Sequence, residues 1–291
     1  MIGVFDSGFG GLTILAELKK QLPQYDYVYL GDNANAPYGE KSQEEIRSLT
    51  RQGVQTLFEA GAEIVILGCN TASAAALRYL QQSWLKKNYP NKKILGIIVP
   101  TIEQVTGTAW RHTEPITTPI SEEVFTVGVL ATPATVMSGT YPEEIHKRNA
   151  SVHVVQQSCA GLVDTIESGK KEKTQQLMRG CIDGLFEQAP QIQAVLLGCT
   201  HYELISQQIA GYLGHHIRLY HQPSIVAQSL QQYLARHSDI KQRLEAGGSI
   251  SLYTTHEEHV YARDDFRRYL GQAFDDPRVT LKHLIVNNQK K

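Results

Sequence analysis

Two cysteines, Cys69 and Cys199, stand in the same local pattern, and their thiols are groups that can move protons. Residues 65–71 read Val-Ile-Leu-Gly-Cys-Asn-Thr, and residues 195–201 read Val-Leu-Leu-Gly-Cys-Thr-His. Each stretch is an apolar run typical of a buried strand, followed by Gly-Cys and by polar residues that open a helical segment. Because a helix N-terminus lowers the pKa of a thiol towards neutrality, we expect either cysteine to act as an acid or a base.

A matched pair of thiols favours stereoinversion. One thiolate would remove an α-proton from one face of a substrate while the other thiol delivers a proton to the opposite face. Most unpaired cysteines after a buried strand are small core residues, and we assign that role to Cys159 and Cys181. The polar neighbours of Cys69 and Cys199 argue against it there. We therefore predict a two-base racemase that needs no cofactor and no metal, with these two thiols as its catalytic groups.

The elements that must position these thiols follow an α/β pattern, in which short apolar runs alternate with amphipathic stretches. Strands are predicted at residues 2–5, 27–30, 64–67, 94–99, 126–130, 152–155, 194–197, 217–220 and 250–254. Residues 42–60 form the clearest predicted helix, with a capping box made by Ser42 and Glu45. The thiols, 130 positions apart, then follow the carboxyl ends of two strands, where open α/β sheets bind ligands.

Polar side chains at the same sheet edge suit a ligand with an ammonium group and two carboxylates. Asp6 and Ser7 follow the first strand, and the glycines after them allow the backbone to approach a ligand closely, although their spacing is not the dinucleotide fingerprint. Asn70, Thr71, Thr200 and His201 follow the two cysteines. His201 either assists Cys199 by a hydrogen bond or a positive charge or, like most histidines, has no such role. Glu167 is either its partner or a solvated helix residue, and we leave it outside the catalytic set.

Composition limits the classes of partner. The formal net charge is −1, so the chain has no summed positive field for nucleic acid or an anionic membrane. The first residues lack a basic, signal-like segment, and no run of about 18 apolar residues occurs. We expect a soluble, cytoplasmic enzyme with reduced thiols that works on a small molecule as a homodimer. Residues 112–123 are predicted to be an exposed connection, and residues 289–291 a frayed end.

Four motifs, in this order, resemble those of the glutamate racemases of the aspartate/glutamate racemase superfamily. They are Gly3-Val4-Phe5-Asp6-Ser7-Gly8 with Gly10-Gly11-Leu12-Thr13, Gly31-Asp32 with Pro37-Tyr38-Gly39, Cys69-Asn70-Thr71-Ala72-Ser73, and Gly198-Cys199-Thr200-His201-Tyr202. The resemblance covers most of the chain. One departure is His221-Gln222-Pro223, which lacks an acidic residue that often follows that strand in the family.

The resemblance implies a fold, a reaction and a set of site residues. The fold would be two similar parallel-sheet α/β domains, Rossmann-like or flavodoxin-like, with the active site between them: residues 1–99 with 214–291, and residues 100–213. The reaction would interconvert L- and D-glutamate and supply D-glutamate for peptidoglycan. The catalytic pair would be Cys69 and Cys199. The substrate-binding residues would be Asp6, Ser7, Tyr38, Gly39, Asn70, Thr71, Thr200 and His201.

Three other functions stay open on the residues alone. A racemase of aspartate or another acidic amino acid would need the same two thiols. An isomerase or lyase of the same superfamily would form a covalent adduct on one cysteine. A two-domain binding protein would close on a small ligand and use both cysteines only as structural residues. As a separate alternative, if Cys69 simply packs, Cys69→Ser should lower stability about as much as it lowers activity.

Overall fold

The computed structural model describes residues 1–108, 125–255 and 259–283. Its strands are β1 (Ile2–Asp6), β2 (Tyr27–Gly31), β3 (Ile64–Leu67), β4 (Lys93–Gly96), β5 (Thr126–Ala131), β6 (His153–Ser158), β7 (Ala194–Gly198), β8 (Arg218–Tyr220), β9 (Ile250–Thr254) and β10 (Val279–His283). Its α-helices are α1 (Leu12–Gln21), α2 (Gln43–Glu59), α3 (Asn70–Tyr79), α4 (Leu85–Asn88), α5 (Ile98–Thr106), α6 (Pro133–Met137), α7 (Thr140–Arg148), α8 (Leu162–Glu167), α9 (Lys171–Gln188), α10 (Ser206–Leu213), α11 (Gln222–Arg236), α12 (Ser238–Gln242) and α13 (His259–Leu270).

The strands form two parallel sheets. A six-stranded sheet has the order β10-β9-β2-β1-β3-β4, and a four-stranded sheet has the order β6-β5-β7-β8. Alternate residues of a central strand enter different cores: Ile64 and Ile66 face α1 and α11, whereas Val65 and Leu67 face α2 and α3. Because both faces are covered by helices, the strands are apolar almost throughout. The predicted fold class, two parallel-sheet α/β domains, is confirmed.

Most predicted elements are present with small shifts of their ends. The capping box of α2 is confirmed: Ser42 Oγ accepts the Glu45 N–H at 3.3 Å, and Glu45 Oε2 accepts the Ser42 N–H at 3.0 Å. The strand expected over residues 94–99 is wrong at its end, because β4 stops at Gly96 and α5 begins at Ile98. Pro100 lies in the first turn of α5, where a missing N–H costs nothing. The last strand, β10, was not predicted.

The sheets divide the chain at a different place from the one expected. Residue 214 was expected to begin the return to the first domain, but β8 pairs with β7 in the four-stranded sheet. A strand needs a hydrogen-bonded neighbour, and the chain that leaves α10 reaches the free edge of β7 first. The return to the first sheet therefore begins after Tyr220.

Two sequence predictions fall on residues 112–123 and 289–291, which lie outside the described residues. Within the parts of the chain that the structure describes, no helix is long and apolar enough to cross a membrane.

Candidate active site

A cavity of about 330 Å³ opens where β1, β2, β3, β5 and β7 end. Nine of the ten predicted site residues line it: Ser7, Tyr38, Gly39, Cys69, Asn70, Thr71, Cys199, Thr200 and His201. The tenth, Asp6, is completely buried at the end of β1 and does not line the cavity. The two matched thiols therefore meet in one space, each at the end of a strand from a different sheet.

The first thiol caps a helix. Cys69 precedes α3, and its Sγ accepts the Ala72 N–H at 3.5 Å and lies 3.5 Å from Ser7 Oγ. Asp6 lies close enough for its charge to act on Cys69. One carboxyl oxygen of Asp6 accepts the Gly8 N–H at 2.8 Å, and the other, Oδ2, has no hydrogen-bond partner among the described residues. The Gly11 N–H is nevertheless close enough to lower the pKa of this carboxyl.

Burial decides the protonation of the first thiol. It raises the pKa of Cys69 to about 11, and the charge of Asp6 acts in the same direction, against smaller effects of the hydrogen bonds from Ser7 and Ala72. The expectation that the helix N-terminus lowers the pKa is therefore wrong for Cys69, since desolvation outweighs the dipole. Burial also raises the pKa of Asp6 to about 6, although the positive charge of His201 opposes it. Cys69 is a protonated thiol at neutral pH.

The second thiol has a different environment. Cys199 precedes a short 3-10 helix, Thr200–Ile205, and its side chain accepts no hydrogen bond from that helix. Instead its Sγ lies 3.9 Å from His201 Nδ1, and His201 Nε2 lies 2.7 Å from Glu167 Oε1. A chain of polar groups therefore runs from a carboxylate through a buried imidazole to the thiol.

This chain holds a positive charge beside Cys199. Burial alone would lower the pKa of His201, but hydrogen bonds with Cys199 and Glu167, and the negative charges of those groups, raise it well above its ordinary value. His201 is therefore an imidazolium at neutral pH, and an imidazolium stabilises a neighbouring thiolate.

Two contacts from the first sheet support this arrangement. A Cβ at Gly10 would lie 2.3 Å from Thr200 Oγ1 and 2.5 Å from His201 Nδ1, so only glycine lets the loop after β1 rest on these residues. Arg268, on α13, donates to the carbonyl oxygens of Ile166 at 2.7 Å and Glu167 at 3.1 Å. Both contacts tie the second thiol to helices and loops of the six-stranded sheet.

The loop after β2 is organised around a buried carboxylate. Tyr38 lines the cavity, but its hydroxyl donates to Asp32 Oδ2 at 2.6 Å. The other oxygen of Asp32 accepts from Thr255 Oγ1 and Asn35 Nδ2, both at 2.9 Å. The Tyr38 hydroxyl thus gives its hydrogen to the protein, and the tyrosine shapes the cavity with its ring.

The first residues of α3 connect the two sheets. Thr71 Oγ1 lies 3.0 Å from the hydroxyl of Thr132, which follows β5. Asn70 is buried and hydrogen-bonded to Gln222 and to the hydroxyl of Tyr141, a residue of α7. The contacts with Thr132 and Tyr141 cross from the Cys69 helix to elements of the four-stranded sheet, whereas Gln222 begins α11, which packs on the six-stranded sheet.

Sequence reasoning missed three contributors to this cavity and its supports. Glu167 was left outside the catalytic set because a carboxylate at a helix end is usually solvated. Thr132 carries a usable signal, a threonine before a proline that opens a helix. Asp32 was quoted in a motif but given no task, and its contacts come from distant residues.

Cys159 also borders the cavity, although it was predicted to be structural. A hydrogen bond with Cys181 raises the pKa of Cys159, and burial adds to the effect. Cys159 therefore stays protonated and does not compete with Cys69 and Cys199 as a base.

Comparison with known proteins agrees with this geometry. A family model described as Asp/Glu/hydantoin racemase matches residues 117–230. Glutamate racemase from Paracoccus denitrificans is 41% identical over 254 residues, which span 87% of this chain and 90% of the relative. The chain belongs to the glutamate racemase family. As a family member it is an enzyme, an isomerase that acts on amino acids.

Solved glutamate racemases share the fold over nearly the whole chain. A glutamate racemase isoform from Bacillus anthracis is 25% identical, with a TM-score of 0.79, and the match covers 98% of this chain and 97% of the other. The enzyme from Francisella tularensis, solved in complex with D-glutamate, is 28% identical, with a TM-score of 0.78 and coverage of 97% and 96%. The family resemblance drawn from the four motifs is thereby confirmed.

Proposed function

We propose that this enzyme interconverts L- and D-glutamate by a two-base mechanism in which Cys69 and Cys199 are the acid and the base. The observation that carries the proposal is that both thiols line one cavity, each with its own ionisable partner. The substrate is supported by the relatives named glutamate racemase and by the D-glutamate complex of the Francisella tularensis enzyme.

In one direction Cys199 is the base. The imidazolium of His201 stabilises the Cys199 thiolate, and Glu167 keeps that imidazole protonated. The thiolate takes the α-proton from one face of the substrate, and the bond electrons stay on the α-carbon. Cys69, protonated because its pKa is raised, delivers its proton to the opposite face. The enzyme is left with a Cys199 thiol and a Cys69 thiolate, and no electrons are gained or lost.

In the other direction the two thiols exchange roles. Cys69 must then lose its proton, although its own pocket disfavours the thiolate. The hydrogen bonds from Ser7 and the Ala72 N–H stabilise this thiolate and lower the pKa of Cys69. These two donors therefore offset part of the cost of ionising Cys69 in its buried pocket.

We assign the remaining wall of the cavity to substrate binding. Ser7, Asn70, Thr71 and Thr200 present hydroxyl and amide groups, which suit the ammonium and carboxylate groups of an amino acid. Tyr38 and Gly39 form the side of the cavity that follows β2. Asp6 acts on Cys69 by its charge and supports the thiol from behind, without touching the substrate.

The test is to incubate the purified protein with L-glutamate in heavy water, without added cofactor. Optical rotation reports racemisation, and NMR reports deuterium at the α-carbon. We expect both, and we expect Cys69→Ser and Cys199→Ser to lose racemisation by about 10²-fold or more while remaining folded. Racemisation of aspartate in place of glutamate would correct the substrate, and a covalent adduct found by mass spectrometry would replace the mechanism.

The wider roles are proposals as well. We propose that the D-glutamate supplies peptidoglycan, that the enzyme works in the cytoplasm and that it forms a homodimer. Sedimentation at several protein concentrations tests the dimer, and a single monomer species throughout would refute it.

A further inference from the structure

Gln222, the first residue of α11, is buried at the centre of a hydrogen-bond network that the mechanism does not use. Its Nε2 lies 3.1 Å from each of three oxygens: Asn70 Oδ1, Thr101 Oγ1 and Tyr141 Oη. Its Oε1 accepts from Asn70 Nδ2 at 2.6 Å. These partners lie on three helices, α3, α5 and α7, so the network joins four elements around one side chain.

The network has a defined polarity. Thr101 Oγ1 donates its only hydrogen to the carbonyl oxygen of Ile97 at 2.7 Å. Towards Gln222 it can then only accept, so the atom of Gln222 that faces it must be the NH₂ group. The carbonyl oxygen of Gln222 must face Asn70, and Asn70 must donate to it. The carbonyl oxygen of Ile97, the residue just before α5, thus sets the direction of the hydrogen bonds that run through Thr101 and Gln222 to Asn70.

The polarity determines what Asn70 offers to the cavity. Its Oδ1 already accepts from the Tyr141 hydroxyl at 2.7 Å and from Gln222. Its Nδ2 gives one of its two hydrogens to Gln222. The other N–H takes no part in these bonds, and Asn70 is among the residues that line the cavity, next to Cys69 in the chain. The group that the Asn70 amide has left to offer is therefore a donor, and a donor suits a carboxylate oxygen.

We infer that Gln222 is a positioning residue that fixes the Asn70 amide with its free N–H available to a carboxylate of the substrate. Gln222 does not line the cavity, so it acts through Asn70. The substrate class in this inference rests on the proposed function, whereas the orientation of the amide does not.

The decisive variant is Gln222→Glu, which keeps the shape and replaces the NH₂ group by an oxygen. The ionised carboxylate would face the lone pairs of Thr101 and Asn70, so the amide would turn and its donor would leave the cavity. Protonation of the new carboxyl restores a donor. We therefore expect KM at pH 8 to rise about tenfold or more with kcat within about threefold, and the ratio of variant to wild-type kcat/KM to recover as the pH falls.

Two further variants separate positioning from simple loss of stability. Gln222→Met removes all the hydrogen bonds of the Gln222 amide and should raise KM to a similar degree, but the ratio to wild type should not depend on pH. Gln193→Met is the matched control, because Gln193 accepts the Thr126 N–H at 2.7 Å at the other end of the four-stranded sheet. It should lower the melting temperature and leave KM unchanged.

The orientation is also measurable without turnover. In ¹⁵N-labelled protein, the side-chain NH₂ groups of Asn70 and Gln222 should exchange slowly with water, and the Asn70 signal should lose protection in Gln222→Met. If wild type fails to racemise glutamate but these signals are protected, the proposed substrate is wrong and the positioning role stands. Unchanged KM in both Gln222 variants, or a pH-independent ratio for Gln222→Glu, would overturn the inference.

Discussion

The two halves of the active site share a sequence pattern but solve the same chemical problem in opposite ways. Around Cys69 the partner is a buried carboxyl, Asp6, and burial keeps the thiol protonated. Around Cys199 the partner is a buried imidazole, His201, whose pKa is raised well above its ordinary value by its contacts with Cys199 and Glu167. One thiol therefore has a carboxyl group beside it and the other has a cationic group, although both sequences consist of a strand, Gly-Cys and polar residues.

The difference teaches that a thiol's neighbours outweigh its place on a helix. Cys69 has the better helix, since α3 is regular and its Ala72 N–H reaches the sulfur. Cys199 has only a 3-10 turn and no backbone donor. Desolvation nevertheless raises the pKa of Cys69, because a helix dipole contributes about 1 kcal/mol and the removal of water costs more.

The largest effect on the difference between the two thiols should come from removing the carboxylate that maintains the charge of His201. Glu167→Gln keeps the shape and should lower the pKa of His201, because both a hydrogen bond and a negative charge are lost. The imidazolium then deprotonates at lower pH, so the alkaline limb of the rate profile should move to lower pH. We expect kcat/KM at pH 8 to fall about 10- to 100-fold.

Deuterium exchange shows which thiol is affected by that change. In heavy water, Glu167→Gln should slow α-deuteration of the enantiomer whose proton Cys199 removes more than that of the other. Equal slowing for both enantiomers, with an unmoved alkaline limb, would mean that Glu167 supports the fold and not the second thiol.

A smaller effect is expected from the carboxyl in the first half. The folded-state pKa of Asp6, about 6, is raised from an ordinary 3.8, so the folded state binds a proton that the unfolded state releases between these values. Stability is therefore lost as the pH rises through this window. Asp6→Asn should be more stable than wild type by about 3 kcal/mol at pH 8 and similar to it below pH 4. Urea unfolding at both pH values measures the difference.

The same variant should be about tenfold less active, and its rate profile should lack a limb near pH 6. Higher stability with lower activity identifies a strained functional group. A variant that is less stable at every pH would show that Asp6 is an ordinary packing residue. Asp6 would then not be the ionisable partner of Cys69.

The smallest effect comes from the contact between the halves. Gly10→Ala places a methyl group 2.3 Å from Thr200 Oγ1. We expect a loss of about 1–3 kcal/mol in stability and a several-fold loss of activity, larger for the enantiomer deprotonated by Cys199. Gly180→Ala is the control: among the described residues, no atom outside the neighbouring backbone of α9 lies within 4 Å of its added Cβ, and alanine should stabilise α9 by about 1 kcal/mol. Denaturation and racemisation assays on both variants measure these effects. Equal stability and equal activity of the two variants would contradict the close approach of Gly10 to Thr200.

Sequence alone predicted the features that depend on neighbouring residues in the chain. The strands and the helix α2 follow from the period of apolar residues, and the ends of the strands carry the motifs with Cys69 and Cys199. The strand β10 was missed because nothing near it in sequence marks a partner, and its pairing with β9 is a tertiary choice. The limits of β4 failed because a run of isoleucines and valines suits a strand or a buried helix equally well.

The electrostatics of the site could not be predicted in the same way. The pKa of Cys69 depends on how much water the fold removes and on the position of Asp6, 63 residues earlier in the chain. The importance of Glu167 depends on its approach to His201 across 34 positions. Sequence reasoning could name these residue types but not their distances, and distance determines whether a carboxylate is a solvated charge or a working partner.

The hydrogen bonds from Arg268 to the end of α8 couple the second thiol to the distance between the two sheets. Arg268 lies on α13, a helix of the six-stranded sheet, whereas Glu167 lies on α8, in the other half. A separation of the sheets wide enough to release a product would break these hydrogen bonds, together with the close contact between His201 and Gly10. The Glu167–His201–Cys199 arrangement would then be lost each time product leaves and formed again each time substrate binds. The rate of closure would therefore limit the rate of turnover.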